Sequence, residues 1–393
     1  MDARSWMRRS RIGAMAGAAL GLIALATVLA LAVLWPRGHE VVTPFSTSVA
    51  TERATVVDVV VGACTFNPRS DCRRVQATLD TGPEKGSAIS MDMEGGFDID
   101  PGDAIRVVET RAPDGATAGT TPVDRYAFSD FERRGSLVWL GAVFAVLVVL
   151  AARWRGLRAL AGLAASLAIS VFFIVPAILE GTTPILVALV GSLAILLVTL
   201  PVAHGVGPTA VAAALATAAA LIATLALAEL ATGLAHITGF GSEEASYIRA
   251  AGQDVSVRGM LIAGIVIAAL GVLDDLTISQ ASTVMALHRV SPGHPPRALF
   301  VEAMRVGRDH IVAVINTLVL AYVGASLPVL LVFSIADVSF GDAVNSEVVA
   351  AEIVATLVGS IGLMAAAPLA TGIAAWLAPS VPPGTSEPDH HAH

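Results

Sequence analysis

Charge is scarce in this chain. Only 14% of its 393 residues are Asp, Glu, Lys or Arg, against about 25% in ordinary soluble domains. Lysine is all but missing: Lys85 is the single one, and every other cationic side chain is Arg. Cysteine occurs twice, as Cys64 and Cys72, too few and wrongly spaced for a CxxC redox pair or a thiolate zinc site. These shortages exclude a basic nucleic-acid binder and a charge-rich disordered chain. No nucleophile–base arrangement, phosphate loop or HExxH-type signature is present. His288, His294 and His310 lack metal-ligand spacing. The expectation is a protein that is not an enzyme and holds neither cofactor nor metal.

What is abundant is apolar sequence. Hydrophobic residues reach 55%, which points to a polytopic membrane protein whose first partner is the lipid bilayer. Residues 1–11, MDARSWMRRSR, form a basic tail. The run Ile12 to Trp35 follows; at 1.5 Å per residue it is about 36 Å long, enough for a ~30 Å hydrocarbon core. It exceeds a signal-peptide core, so a retained anchor is expected. Seven more apolar stretches lie at roughly 136–152, 157–178, 184–203, 208–234, 258–280, 310–333 and 348–377. The fold class expected is therefore an all-α membrane protein with eight transmembrane helices. Residues 135–378 form its main membrane domain, and residues 379–393 a proline-rich cytoplasmic tail.

Residues 38–134 are different. They hold 16 of the 32 acidic residues and several short runs of strand character: Ala54 to Val61, Arg74 to Leu79, Ser87 to Met91 and Ala104 to Glu109. Turn signals at Asp80–Pro83, Glu94–Gly96 and Asp100–Asp103 separate them. Four or five such strands must pair or close to protect their edges. Either a small barrel of OB-like size or a small open sheet would do so. Cys64 and Cys72 flank a short insertion. On an oxidising outer face a bridge closing about nine residues is expected, worth about 2–3 kcal/mol by loop entropy.

Loop charges orient the helices. Arg153, Arg155 and Arg158, then His204, then Arg289, Arg297, Arg305 and Arg308 fall on one side. Glu180, then Glu243, Glu244 and Asp254 with Arg249 between them, then Asp337, Asp342 and Glu347 fall on the other. The positive-inside rule puts the first set, and both termini, in the cytoplasm of a bacterial cell.

Acids inside apolar stretches are the candidate functional groups. Asp274 and Asp275 follow seventeen mostly apolar residues. They read either as an ion or proton relay or as the end of one helix and the cap of the next. Asn316 and Thr317 sit at a similar depth on the following helix and can be brought to the two carboxylates. Glu229 lies near the outer end of its helix, either snorkelling to the interface or facing the bundle. The stretch Arg297 to Arg308 reads as a short interfacial helix, and Gly324–Pro328 as a tight-packing segment or local break.

The residues Gly307-Arg308-Asp309, then Asn316 through Tyr322, then Gly324 and Ser326-Leu327-Pro328, together with Gly271 through Asp275, resemble the YibE/F-like family of bacterial membrane proteins. That resemblance implies an anchor, an extracytoplasmic domain and seven further helices, in a permease-like protein whose function is open. Residues Asp274 to Glu302 are also similar to part of the SecD/SecF and proton-driven exporter superfamily, although the chain lacks its paired large outer domains. Two functions follow as expectations. One is a permease or exporter-like protein, with the proton as coupling ion. The other is a non-transporting membrane scaffold or envelope assembly factor, whose outer domain binds a protein or an envelope component while the helices anchor it; a second copy or another membrane protein is a further expected partner.

Overall fold

The computed structural model describes residues 10–38, 51–63, 71–94, 98–110, 125–241, 243–250 and 255–381. The basic segment before Ser10, Cys64 and the residues after Val381 lie outside that set. The chain divides into two compact units, Phe45–Leu150 and Met1–Pro44 with Ala151–His393.

The first unit is built on five antiparallel strands: β1 (Thr51–Ala63), β2 (Asp71–Leu79), β3 (Ala88–Glu94), β4 (Ala104–Glu109) and β5 (Tyr126–Phe131), in the order β3-β2-β1-β4-β5. They form a half-barrel. Period-two alternation puts Ala54 and Val56 of β1, Val75, Ala77 and Leu79 of β2, Ile89, Met91 and Met93 of β3, and Ile105 and Val107 of β4 in one core. A bulge between Val56 and Asp58 shifts the register of β1, so Val59 packs against the core and Val60 is exposed. Ion pairs tie the outer face: Arg74–Asp92 at 2.9 Å, and Arg125 at 2.8 Å from both Glu84 and Glu109. At the end of β5 the Arg133 guanidinium and the Phe131 N–H hold the Asp130 carboxyl below its ordinary range. Strand β5 was not anticipated; YAFSDF is short and only weakly alternating. Cys72 is buried near the start of β2, and no described cysteine is free.

The helices are α1 (Arg11–Leu34), α2 (Arg134–Ile169), α3 (Val175–Leu179), α4 (Pro184–His204), α5 (Pro208–Leu234), α6 (Glu243–Ala250), α7 (Val257–Val290), α8 (Pro296–Ile335), α9 (Phe340–Asn345) and α10 (Glu347–Leu377). A π turn, Ser170–Ile174, joins α2 to α3. Among the described residues seven helices are long and apolar enough to cross a membrane, not the eight expected. The difference lies in one element. Residues Arg134–Leu179 run as a single 46-residue helical stretch, interrupted only at Arg153, whose φ of 51° and ψ of −127° are not helical. The basic cluster that reads as a loop in sequence is a one-residue break.

Two expectations about α8 are corrected. The stretch Arg297 to Arg308 is not a separate interfacial helix; it opens the 40-residue α8. Nor does Gly324–Pro328 interrupt that helix: Pro328 lies inside it, and its missing donor costs α8 one backbone bond without ending it.

In the larger unit α5, α7 and α10 pack on one another, with α4 against α7 and α8 against α10. Small residues make this possible. Seven alanines of α5 between Ala210 and Ala220 are buried, as are Gly359, Gly362, Ala366 and Ala367 of α10. By contrast, the most apolar window of α8 has none of its residues buried within the chain.

Candidate functional site

Helix α7 carries the polar groups. Its 34 residues run without a break from Val257 to Val290, capped by Ser256, whose hydroxyl accepts from the Gly259 N–H at 3.1 Å. Asp274 and Asp275 therefore do not end a helix or cap another. They sit at its midpoint, about 25 Å from either end. They point about 100° apart, as neighbours on a helix must. Asp274 turns inward and its Oδ1 is buried with no hydrogen-bond partner among the described residues, while Asp275 is exposed.

Following Asp274 on the same helix, two buried pairs cross to neighbouring helices. The Thr277 hydroxyl lies 2.6 Å from that of Thr217 on α5, and 3.1 Å from the Asp274 carbonyl oxygen. The Thr371 hydroxyl of α10 lies 3.1 Å from Gln280 Oε1, with the Ala367 carbonyl as its closer acceptor at 2.7 Å. Further along, His288 is buried and neither ring nitrogen has a partner among the described residues. Interior polar groups without partners are uncommon in proteins, and each asks for a ligand, a water or a proton.

Gly307 completes this lane. A Cβ on it would lie 2.5 Å from the Gln280 side-chain amide, so the glycine lets α8 approach α7 at that level. Gly307→Ala should cost about 1–3 kcal/mol by overpacking, seen as a lower melting temperature in lipid. Gly324→Ala on the same helix, with nothing within 4 Å of its Cβ position, should not.

The other expected residues lie elsewhere. Asn316 and Thr317 are exposed on α8, and no hydrogen bond joins them to Asp274 or Asp275 among the described residues; the Thr317 hydroxyl donates to the Ala313 carbonyl at 3.0 Å. Glu229 is half-buried and paired with Arg258 at 3.3 Å, whose guanidinium also reaches the Glu229 carbonyl at 3.0 Å. That pair joins the end of α5 to the start of α7. Of the motif residues, Arg308, Asp309, Gly324 and Pro328 are exposed and Tyr322 is half-buried. The sequence reading missed Glu352, five residues into α10. It shares a groove of about 250 Å³ with Tyr322 and Ser326 of α8.

A family model described as YibE/F-like protein matches residues 140–380, more than half of the chain. The chain belongs to the YibE/F-like family. No curated protein and no solved structure matches it, and the likeness to SecD/SecF is not supported. The family match starts within α2 and ends just past α10, so Asp274, the lane beside it and the motif residues of α8 all fall inside it. The β1–β5 sheet falls outside.

Proposed function

We propose that this YibE/F-like protein is a proton-coupled permease or exporter-like protein of the bacterial inner membrane, with Asp274 as the group that takes up and releases the proton. The observation that carries this reading is the unpartnered Asp274 Oδ1 at the midpoint of a helix packed against four others. Acids at membrane depth are costly and are kept where they work. The Thr277–Thr217 pair can donate and accept, and so can extend a proton path. It is not hydrogen-bonded to the Gln280–Thr371 pair, so passage between them requires water. No step of this reading needs enzymatic chemistry, a cofactor or a nucleic acid.

The same reading has eight crossings. Arg153 divides the 46-residue stretch into segments of about 28 and 39 Å, each able to span ~30 Å of hydrocarbon. Both termini then lie in the cytoplasm and residues 38–134 outside it, with Cys64 and Cys72 bridged. The strand order β3-β2-β1-β4-β5, with unpaired edges at β3 and β5, supports an OB-like domain, a partly open five-stranded barrel.

Liposomes loaded with a pH-sensitive dye provide the test. Under an imposed inward-negative potential, wild-type protein should admit protons faster than empty liposomes do. Asp274→Asn should fall to the empty-liposome rate, whereas Asp275→Asn should keep most of the flux. Equal flux in wild type and Asp274→Asn would remove the relay and favour a scaffold.

A further inference from the structure

We propose that the groove between α8 and α10 binds a lipophilic cation, a molecule with one positive charge on an apolar body. The site shares no residue with the Asp274 lane and does not rest on the proton reading.

The walls are apolar: Val319, Val323 and Leu330 on α8 face Val349 and Leu357 on α10. Polar groups are few. Tyr322 and Ser326 stand on α8, with Glu352 and Thr356 on α10. Asn316, seven residues before Val323, continues the same helical face toward the α7 side of the loop. Two of the hydroxyls are already used on backbone. Ser326 donates to the Tyr322 carbonyl at 3.0 Å, and Thr356 donates to the Glu352 carbonyl at 2.7 Å. The Glu352 carboxylate is left with no hydrogen bond or ion pair among the described residues.

This acid cannot find a countercharge nearby in sequence. Arg308 is the last Lys or Arg in the chain, so the remaining 85 residues, which include the rest of α8 and all of α10, hold neither. A second copy related by a two-fold axis along the membrane normal would present the same face at the same depth. It would set carboxylate against carboxylate, which is unfavourable at low dielectric. Charge complementarity therefore points to a cation from outside the chain. The Tyr322 ring offers it a π face, Glu352 offers the countercharge, and the Val and Leu walls take the apolar body, the usual division of labour in a small-molecule site.

The probe is radiolabelled tetraphenylphosphonium, bound to the full-length protein in phosphatidylglycerol nanodiscs, with binding to empty discs subtracted. Wild type should show one saturable site per chain. Glu352→Gln should weaken it by at least about tenfold. Val323→Trp, which fills the groove and leaves the acid in place, should do the same. Neutral triphenylphosphine oxide has a similar apolar body and no net charge, and should not displace the probe. Wild-type affinity in Glu352→Gln, or displacement by the neutral compound at equal concentration, would overturn the site. So would a disulfide between two copies carrying Val323→Cys in a background without Cys64 and Cys72, since a second chain would then occupy the groove.

Discussion

Replacing Gly362 with leucine should prevent the helical unit from assembling. Gly362 lies on α10 where it crosses α5, and a Cβ there would overlap the Thr224 hydroxyl. Thr224 cannot simply turn away. It is fully buried, and its hydroxyl donates to the Ala220 carbonyl at 2.8 Å. The surrounding wall is equally unforgiving, because Ala220, Leu221, Leu363 and Ala366 are all without exposure. A leucine must therefore push α5 and α10 apart, and with them the contacts both make to α7. Overpacking of this kind costs about 3 kcal/mol or more. Separation also forfeits the close approach that drives association in lipid, where apolar burial alone gives no advantage over acyl chains. The expected result is loss of the single elution peak and of a cooperative melt in detergent. Gly362→Ala should fall between wild type and Gly362→Leu. Gly264→Ala, at a position with nothing within 4 Å, should be neutral or slightly stabilising. A leucine variant that melts with the wild type would show that α5 and α10 do not cross there.

Much of this architecture was legible because the bilayer sets a length. An apolar run of some twenty residues can hardly be anything but a spanning helix, and the runs around α4, α5 and α10 were found close to their bounds, whereas α7 continues ten residues past its expected end at 280. Ala-rich α5 was readable as a packing helix for the same reason that Gly362 matters: small side chains permit close approach. Four of the five strands were legible from Val and Ile alternation. What stayed hidden were pairings between distant positions. Nothing in one sequence links Glu229 to Arg258, Thr217 to Thr277, Gln280 to Thr371 or Gly307 to Gln280. Each depends on how two helices rotate about their own axes, which hydropathy does not encode. Glu352 was lost differently. It sits within VVAAEIVATLV, where one acid barely dents the apolar average, and only the facing Tyr322 and Ser326 mark it out. The residues around Arg153 were read as a cytoplasmic loop between two spans, and the structure narrows that loop to one non-helical residue, Arg153.

That single residue decides the sidedness of everything after it, and a labelling experiment can read the decision. Three exposed positions serve as reporters in a background without Cys64 and Cys72: Lys85 in the turn before β3, Gly293 between α7 and α8, and Gly341 in α9. Each is replaced by cysteine and exposed to a membrane-impermeant maleimide in intact cells. If residues 134–179 cross twice, Lys85→Cys and Gly341→Cys should label strongly. Gly293→Cys should label only after permeabilisation. If they cross once, the later helices invert, so that Gly293→Cys labels and Gly341→Cys does not. The charges favour the first pattern. Arg289, Arg297, Arg305 and Arg308 bracket Gly293, whereas Asp337, Asp342 and Glu347 surround Gly341. Inverting the helices would put the four arginines outside, against a bias that sets the orientation of most polytopic proteins. The contrast between reporters should be close to all-or-none. Gel mobility of the unmodified protein with and without reductant adds an independent arm. An exterior position of β1 and β2 allows Cys64 and Cys72 to bridge, whereas cytoplasmic thiols would keep them reduced. Labelling at Gly293 in intact cells would end the eight-crossing reading, whatever the state of the cysteines.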